Sequence, residues 1–216
     1  MKTILCYGDS NTYGFNPADG MRYPKEVRWT GILSRKLGEK FEVLEEGCNG
    51  RTTVFDDPVD GWKNGLDYLM PCLNTHKPVD LVILMLGSND LKTCFHATAD
   101  QITAGIARVI DEIVTFGHTK QNYVPEILLV SPPHVGEKVA ETGSGFSEKF
   151  DETAVTRSKE LAAKYQRIAQ IKNCYFFDAA TVAKASDIDC LHLSPEGHSD
   201  LAEGIFEWVK KLFRIK

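Results

Sequence analysis

The chain has 216 residues, 43% of them hydrophobic and 25% charged, with a net charge of −5. That composition is ordinary for a folded chain with enough apolar mass to build a core, and it excludes a disordered one. The 25 basic residues are scattered rather than gathered into a stripe, which excludes a phosphate-tracking surface and with it nucleic acid as partner.

The length fits one domain over residues 1–216. The first apolar run, from Ile4 to Tyr7, is cut short by Gly8-Asp9 and is too brief for the core of a signal peptide. No later run approaches the ~20 apolar residues of a membrane span, so no membrane partner is expected. The six cysteines, Cys6, Cys48, Cys72, Cys94, Cys174 and Cys190, form no C-x-x-C pair. They read as thiols of a reducing compartment, and the cytoplasm is the expected location.

Five segments have strand length and strand composition: residues 2–7, 41–45, 79–86, 126–130 and 174–177. Between Leu81 and Leu86 the third is apolar at every position, as a central strand covered on both faces must be. Helices are predicted over 29–37, 66–75 and 148–169. A further helix opens on Thr98-x-x-Gln101, a capping box, and carries the stripe Ile102, Ile106, Val109, Ile110 and Ile113. The last helix begins at Ser194-Pro195, an N-cap with a first-turn proline, and its stripe runs through Leu201, Ile205, Trp208, Val209 and Leu212. Alternating strands and helices predict an α/β fold, a parallel sheet sandwiched between helix layers. Residues 132–147, from Pro132 to Ser147, form the one long irregular stretch, and a loop of that length is often functional.

In such folds ligands collect at the carboxyl ends of the strands, and four polar clusters lie near those ends or before the last helix. The first strand runs into Gly8-Asp9-Ser10-Asn11, where Gly8 permits a tight turn and leaves Ser10 exposed. Alone, Ser10 reads more readily as a helix cap. The second strand leads to Gly47-Cys48-Asn49-Gly50, whose glycines let an anion approach the backbone N–H groups, or simply turn the chain. The third ends in Gly87-Ser88-Asn89-Asp90, where the Asn89 amide can face a developing oxyanion or satisfy its own turn. The fourth is Asp189-Cys190-Leu191-His192, in which Asp189 can fix the imidazole tautomer and leave the other nitrogen as a base, or form a structural pair with His192. A serine hydroxyl needs a base, the base an orienting acid, and the tetrahedral intermediate needs donors. Ser10, His192, Asp189, Gly50 and Asn89 fill every role.

Of the other histidines, His198 is expected on the solvated side of the last helix. His76, His96, His118 and His134 show no metal-ligand spacing, although His134 lies in the long loop and can reach a substrate there. Trp29 and Trp62 can line the pocket or pack, and packing is the role expected of both. No G-x-S-x-G elbow, phosphate loop or dinucleotide fingerprint is present in the sequence.

The blocks Gly8-Asp9-Ser10, Gly50, Gly87-x-Asn89-Asp90 and Asp189-x-x-His192 resemble, in order and residue type, those of the SGNH (GDSL-type) hydrolase superfamily. The resemblance implies a three-layer, flavodoxin-like α/β/α sandwich with strand order 2-1-3-4-5. It implies Ser10, Asp189 and His192 as catalytic residues, and an oxyanion hole made by the Ser10 N–H, the Gly50 N–H and the Asn89 amide. Val27-Arg28-Trp29-Thr30-Gly31, Glu45-Glu46-Gly47, Arg51-Thr52-Thr53, Asp56-Asp57-Pro58 and Ser131-Pro132-Pro133 are similar to the mycobacterial arylesterase/acyltransferase type within it. That type implies acyl transfer to alcohols beside hydrolysis, and a homo-oligomer whose subunits narrow the channel. The chain departs from it at Gly50 and Asn11, where that type has Ala and Leu. The expected substrate is a small ester, and the scheme needs no metal or organic cofactor. The alternatives are a carbohydrate acetylesterase and a non-catalytic ligand-binding module on the same fold.

Overall fold

Alternate residues of the strands face opposite ways, and in this chain both ways are apolar. The computed structural model describes residues 1–215. Strands β1 (Lys2–Gly8), β2 (Phe41–Gly47), β3 (Leu81–Met85), β4 (Glu126–Ser131) and β5 (Tyr175–Asp178) form one sheet in the order β2-β1-β3-β4-β5. Every pairing is parallel. The fold class is the one the alternation of strands and helices predicts, and the strand order is the one the resemblance implies.

Helices α1 (Ser10–Tyr13), α2 (Trp29–Leu37), α3 (Gly65–His76), α4 (Ala99–Phe116), α5 (Glu152–Ile171) and α6 (Pro195–Phe213) complete the chain. Leu5, Tyr7, Val82, Leu84, Ile127 and Leu129 pack into one core with the apolar stripes of α3, α4 and α5. Ile4, Cys6, Leu81, Ile83, Leu128 and Val130 face the other way, onto α2 and α6. The two-residue period of the strands thus divides the chain into two cores on either side of the sheet. Among the described residues no helix is long and apolar enough to cross a membrane.

The predicted boundaries shift where side chains compete with the ladder. Val79 leaves β3 because the Gln121 side chain takes both its N–H and its C=O, at 2.9 Å each. The helix predicted from residue 148 starts at Glu152, where Asp151 caps it by accepting from the Thr153 and Ala154 N–H groups. The Thr98–Gln101 capping box and the Ser194 cap form as predicted.

The register fixes where chemistry can gather. Gly8 lies level with Gly47 on one side and with Met85 on the other. The segments that follow β1, β2 and β3 therefore leave the sheet at the same height.

Candidate active site

Close approach explains why β1 and β2 end in glycine. A Cβ on Gly8 would lie 2.1 Å from Thr12 Oγ1 and 2.8 Å from Met85 O, and one on Gly47 would lie 2.0 Å from the Tyr13 N. The first turn of α1 therefore sits directly on the strand ends. The sequence suggests a tight turn for Gly8, but its backbone is not left-handed; lack of room for a side chain is the reason for glycine there. Asp9 caps α1 by accepting from the Asn11 N–H, and burial pushes its carboxyl up to about 6.

Ser10 Oγ is 2.9 Å from His192 Nε2. His192 Nδ1 is 2.5 Å from Asp189 Oδ2. The other Asp189 oxygen accepts from the backbone N–H groups of Leu191 (3.0 Å) and His192 (2.9 Å), so the carboxylate is fixed at both ends. Desolvation raises the Asp189 pKa, but the hydrogen bonds and charge of His192 outweigh it and hold the group below its ordinary value. A carboxylate so placed keeps the proton on Nδ1, which leaves Nε2 free to accept from the serine hydroxyl. All three side chains are buried. The tight loop that carries Asp189 and His192 needs Cys190 at φ +61°, and Cys190 O accepts from the Gly136 N–H at 2.8 Å.

The oxyanion candidates converge on the same place. Gly50 and Asn89 line a cavity of about 140 Å³ together with Ser10 and His192. One N–H of the Asn89 amide donates to Arg51 O at 3.2 Å, which orients the group. Asp90, fully buried, accepts from the Thr53 N–H at 2.9 Å and from its hydroxyl at 2.5 Å, tying the end of β3 to the segment after β2. Arg51 reaches back to Gly8 O at 2.9 Å and lies over the Tyr7 ring, 4.2 Å from its centroid. The structure thus brings together all five residues singled out from the sequence.

Several neighbours carry no motif, and sequence reasoning misses them. Asn11 donates to Leu191 O at 3.3 Å and accepts from the Leu193 N–H at 3.0 Å, bracketing His192. Its place beside Ser10, and its standing where the arylesterase type has Leu, are the signals the sequence offers. Phe15 and Phe146 pack on the imidazole with ring centroids 4.3 and 5.1 Å away. Phe146 is the contribution of the long loop, whereas His134 does not line the cavity. Lys63, Lys92 and Lys149 also line it, and Lys92 is paired with Asp57 at 2.7 Å.

Two expectations are corrected. His198 is fully buried rather than solvated. The first turn of α6 lies against the start of α2, where His198 Nδ1 accepts from the Trp29 N–H at 3.4 Å and burial lowers its pKa to about 4. Trp29 is buried as expected, but Trp62 is 77% exposed, its ring lying 3.6 Å from the Lys63 ammonium.

Glu46, Cys72 and His76 place donor atoms within 4.8 Å of one another, an arrangement able to hold a metal ion. Glu46 and His76 already pair at 2.7 Å, burial pushes the Cys72 thiol up to about 12, and none of the three lines the cavity beside Ser10.

Residues 6–199 match the model of the GDSL-like lipase/acylhydrolase family. A search of curated proteins finds no match. Among solved structures, the chain is 38% identical to the aryl esterase of M. smegmatis, covering 98% of this chain and 100% of that one, with a TM-score of 0.91. It is 36% identical to a carbohydrate acetylesterase from Sinorhizobium meliloti, over 99% and 100% of the two chains, with a TM-score of 0.92. A second carbohydrate acetylesterase family member from Sinorhizobium meliloti is 38% identical over the whole of both chains, with a TM-score of 0.91. A family match that runs from β1 into α6, beside full-length likeness to esterases, makes this chain a carboxylic ester hydrolase of the GDSL-like lipase/acylhydrolase family.

Proposed function

We propose that the protein hydrolyses small acyl esters through an acyl-enzyme formed on Ser10. The observation that carries the proposal is the relay from Ser10 Oγ to His192 Nε2 and from His192 Nδ1 to Asp189, at 2.9 and 2.5 Å. In the proposed reaction Ser10 Oγ attacks the ester carbonyl carbon while His192 Nε2 takes its proton and Asp189 steadies the imidazolium. The carbonyl oxygen, now an oxyanion, is held by the N–H groups of Ser10 and Gly50 and by the Asn89 amide. Collapse of the intermediate expels the alcohol, which takes the proton from His192. Water, or a second alcohol, then attacks the acyl group with His192 again as base.

A cavity of about 140 Å³ is small beside the ~300–1,000 Å³ of pockets that hold drug-sized ligands. Phe15 and Phe146 close it over His192. Both features favour a short acyl group such as acetyl. An acetylated sugar is the second reading, favoured by the likeness to the Sinorhizobium meliloti acetylesterases.

The test compares wild type, Ser10→Ala and His192→Ala on p-nitrophenyl acetate and on acetylated sugars, with and without a primary alcohol. Each substitution should lower kcat by several orders of magnitude while the protein stays folded. The preferred leaving group separates the two substrate readings, and a new ester in the presence of alcohol reveals acyl transfer. Equal rates for wild type and Ser10→Ala, with no labelling by a serine-directed phosphonate, would refute the mechanism and leave a binding module.

A further inference from the structure

Beyond β2 the chain makes a four-residue turn, Cys48-Asn49-Gly50-Arg51, closed by the Arg51 N–H donating to Cys48 O at 3.0 Å. Gly50, the third residue, has φ +81°, the value of a type II turn. Types I and II differ mainly in the peptide between the two central residues, which is turned over by roughly half a revolution. In this turn that peptide is Asn49–Gly50, and its N–H is the donor assigned to the oxyanion. Turned over, the same peptide would present a carbonyl oxygen to the developing negative charge. Glycine accepts either backbone setting at little cost, so the turn does not choose between them by itself.

Lys63 makes that choice. Its Nζ donates to Asn49 O at 2.8 Å, the carbonyl of that very peptide. Across a trans peptide C=O and N–H point in opposite directions, so a carbonyl pinned on Lys63 leaves the Gly50 N–H facing away from it. That N–H has no backbone acceptor among the described residues. Lys63 is itself fixed by its surroundings. Its backbone C=O accepts from the Thr52 N–H at 3.0 Å, it is 7% exposed, and its ammonium lies 3.6 Å from the Trp62 ring centroid. Its stem also fills the space over Gly50: a Cβ there would lie 3.3 Å from Lys63 Cε. Among the described residues, Asn49 O is the one acceptor within hydrogen-bond reach of the ammonium.

We propose that Lys63 is a positioning residue of the oxyanion hole, whose ammonium locks the Asn49–Gly50 peptide with its N–H free for the oxyanion and polarises that amide. A cation on the carbonyl oxygen draws electron density through the peptide and makes the N–H a stronger donor, since charge-assisted bonds are the strong ones and bonded groups polarise one another. The lock acts when charge develops on the substrate oxygen and adds little to binding of the neutral ester. The inference rests on the serine-esterase reading above.

The experiment measures Lys63→Met, Lys63→Gln and Lys63→Arg beside wild type and Ser10→Ala. Its substrate is p-nitrophenyl acetate, which is uncharged, so the loss of a pocket charge does not by itself change binding. For each protein kcat, KM and the inhibition constant of a boronic acid, which forms a tetrahedral anion on the serine, are determined. Lys63→Met should lower kcat about tenfold or more with KM within about twofold. The boronic acid should weaken by a similar factor, Lys63→Gln should fall between, and Lys63→Arg should recover most of the loss. A defect of folding alone would change thermal stability and active fraction without this match between kcat and boronic acid affinity. If Lys63→Met does not fold, the intermediate loss in Lys63→Gln and its recovery in Lys63→Arg decide the matter. Ser10-dependent turnover with kcat unchanged in Lys63→Met and Lys63→Gln would overturn the proposal and leave the esterase reading standing. Wild type no faster than Ser10→Ala would overturn both.

Discussion

Replacing Asn11 with alanine tests how the His192 imidazole is held. The Asn11 side chain bridges two backbone groups, accepting from the Leu193 N–H at 3.0 Å and donating to Leu191 O at 3.3 Å. Leu193 is fully buried, so its N–H would be stranded, at a cost of about 1–3 kcal/mol. Leu191 lines the cavity, where water can replace the lost donor, and its share is about 0.5 kcal/mol. Water entering the vacated space offsets part of the cost at Leu193, leaving a net loss of about 2 kcal/mol. In a chain of this size that lowers Tm by about 4–8 °C. His192 lies between the two released residues, so its ring loses definition and kcat should fall about tenfold, with KM less affected. Urea unfolding at pH 7 and p-nitrophenyl acetate kinetics read the two effects. Asn11→Asp keeps an acceptor for Leu193 but sets a buried carboxylate against Leu191 O, so it should recover stability only as pH falls and the carboxyl protonates. If Asn11→Ala unfolds within about 0.5 kcal/mol of wild type and turns over at its rate, the bracket is not what holds His192.

Asn89→Ala should lower kcat about a hundredfold or more while costing little stability, because among the described residues the one side-chain bond it loses is that to Arg51 O; a wild-type kcat would remove Asn89 from the oxyanion hole. Gly8→Ala puts a methyl against Thr12 Oγ1 and against Met85 O. It should destabilise by about 1–3 kcal/mol and lift Ser10 off the sheet, so that activity drops further than folded yield; unchanged unfolding would show that α1 can shift freely. His198 titrates near 6.5 when unfolded and near about 4 in the fold, lowered by burial. Its neutral form therefore contributes stability fully above pH 6.5, and the contribution is lost as pH falls toward 4, a change of about 3 kcal/mol. His198→Gln should accordingly cost less at pH 4 than at pH 7 by up to about that amount in urea unfolding, and a cost independent of pH would mean the imidazole is not desolvated.

Strands and helices are legible in the sequence because both apolar periods run unbroken. Leu81 to Leu86 can only be a covered strand, and the Ile102 to Ile113 stripe only a helix face. The site is legible where its chemistry demands particular residue types close in sequence, as in Asp189 and His192. It is not legible where an ordinary residue acts through the backbone of a distant segment. Nothing in the sequence joins Lys63 to Asn49 O or Asn11 to Leu193, since both are single hydrogen bonds set by the docking of loops. His198 departs from expectation for a related reason: the polarity of its side chain places it in solvent, whereas α2 covers it with Trp29. Trp62 departs the other way. A large aromatic belongs inside by its surface alone, but its backbone at φ +63° turns it outward to cover the Lys63 ammonium.

The bond between Ser10 and His192 joins residues 182 positions apart. Synthesis exposes the serine 182 residues before the imidazole. The segment between them carries strands β2 to β5, which must be in register with β1 before the pair can meet. Under the proposed mechanism no partly made or partly refolded molecule can cleave an ester, because the nucleophile waits for a base that arrives with the last helix. Recovery of hydrolysis after dilution from denaturant therefore times the slowest long-range step of folding, while secondary structure, built from nearer contacts, returns earlier.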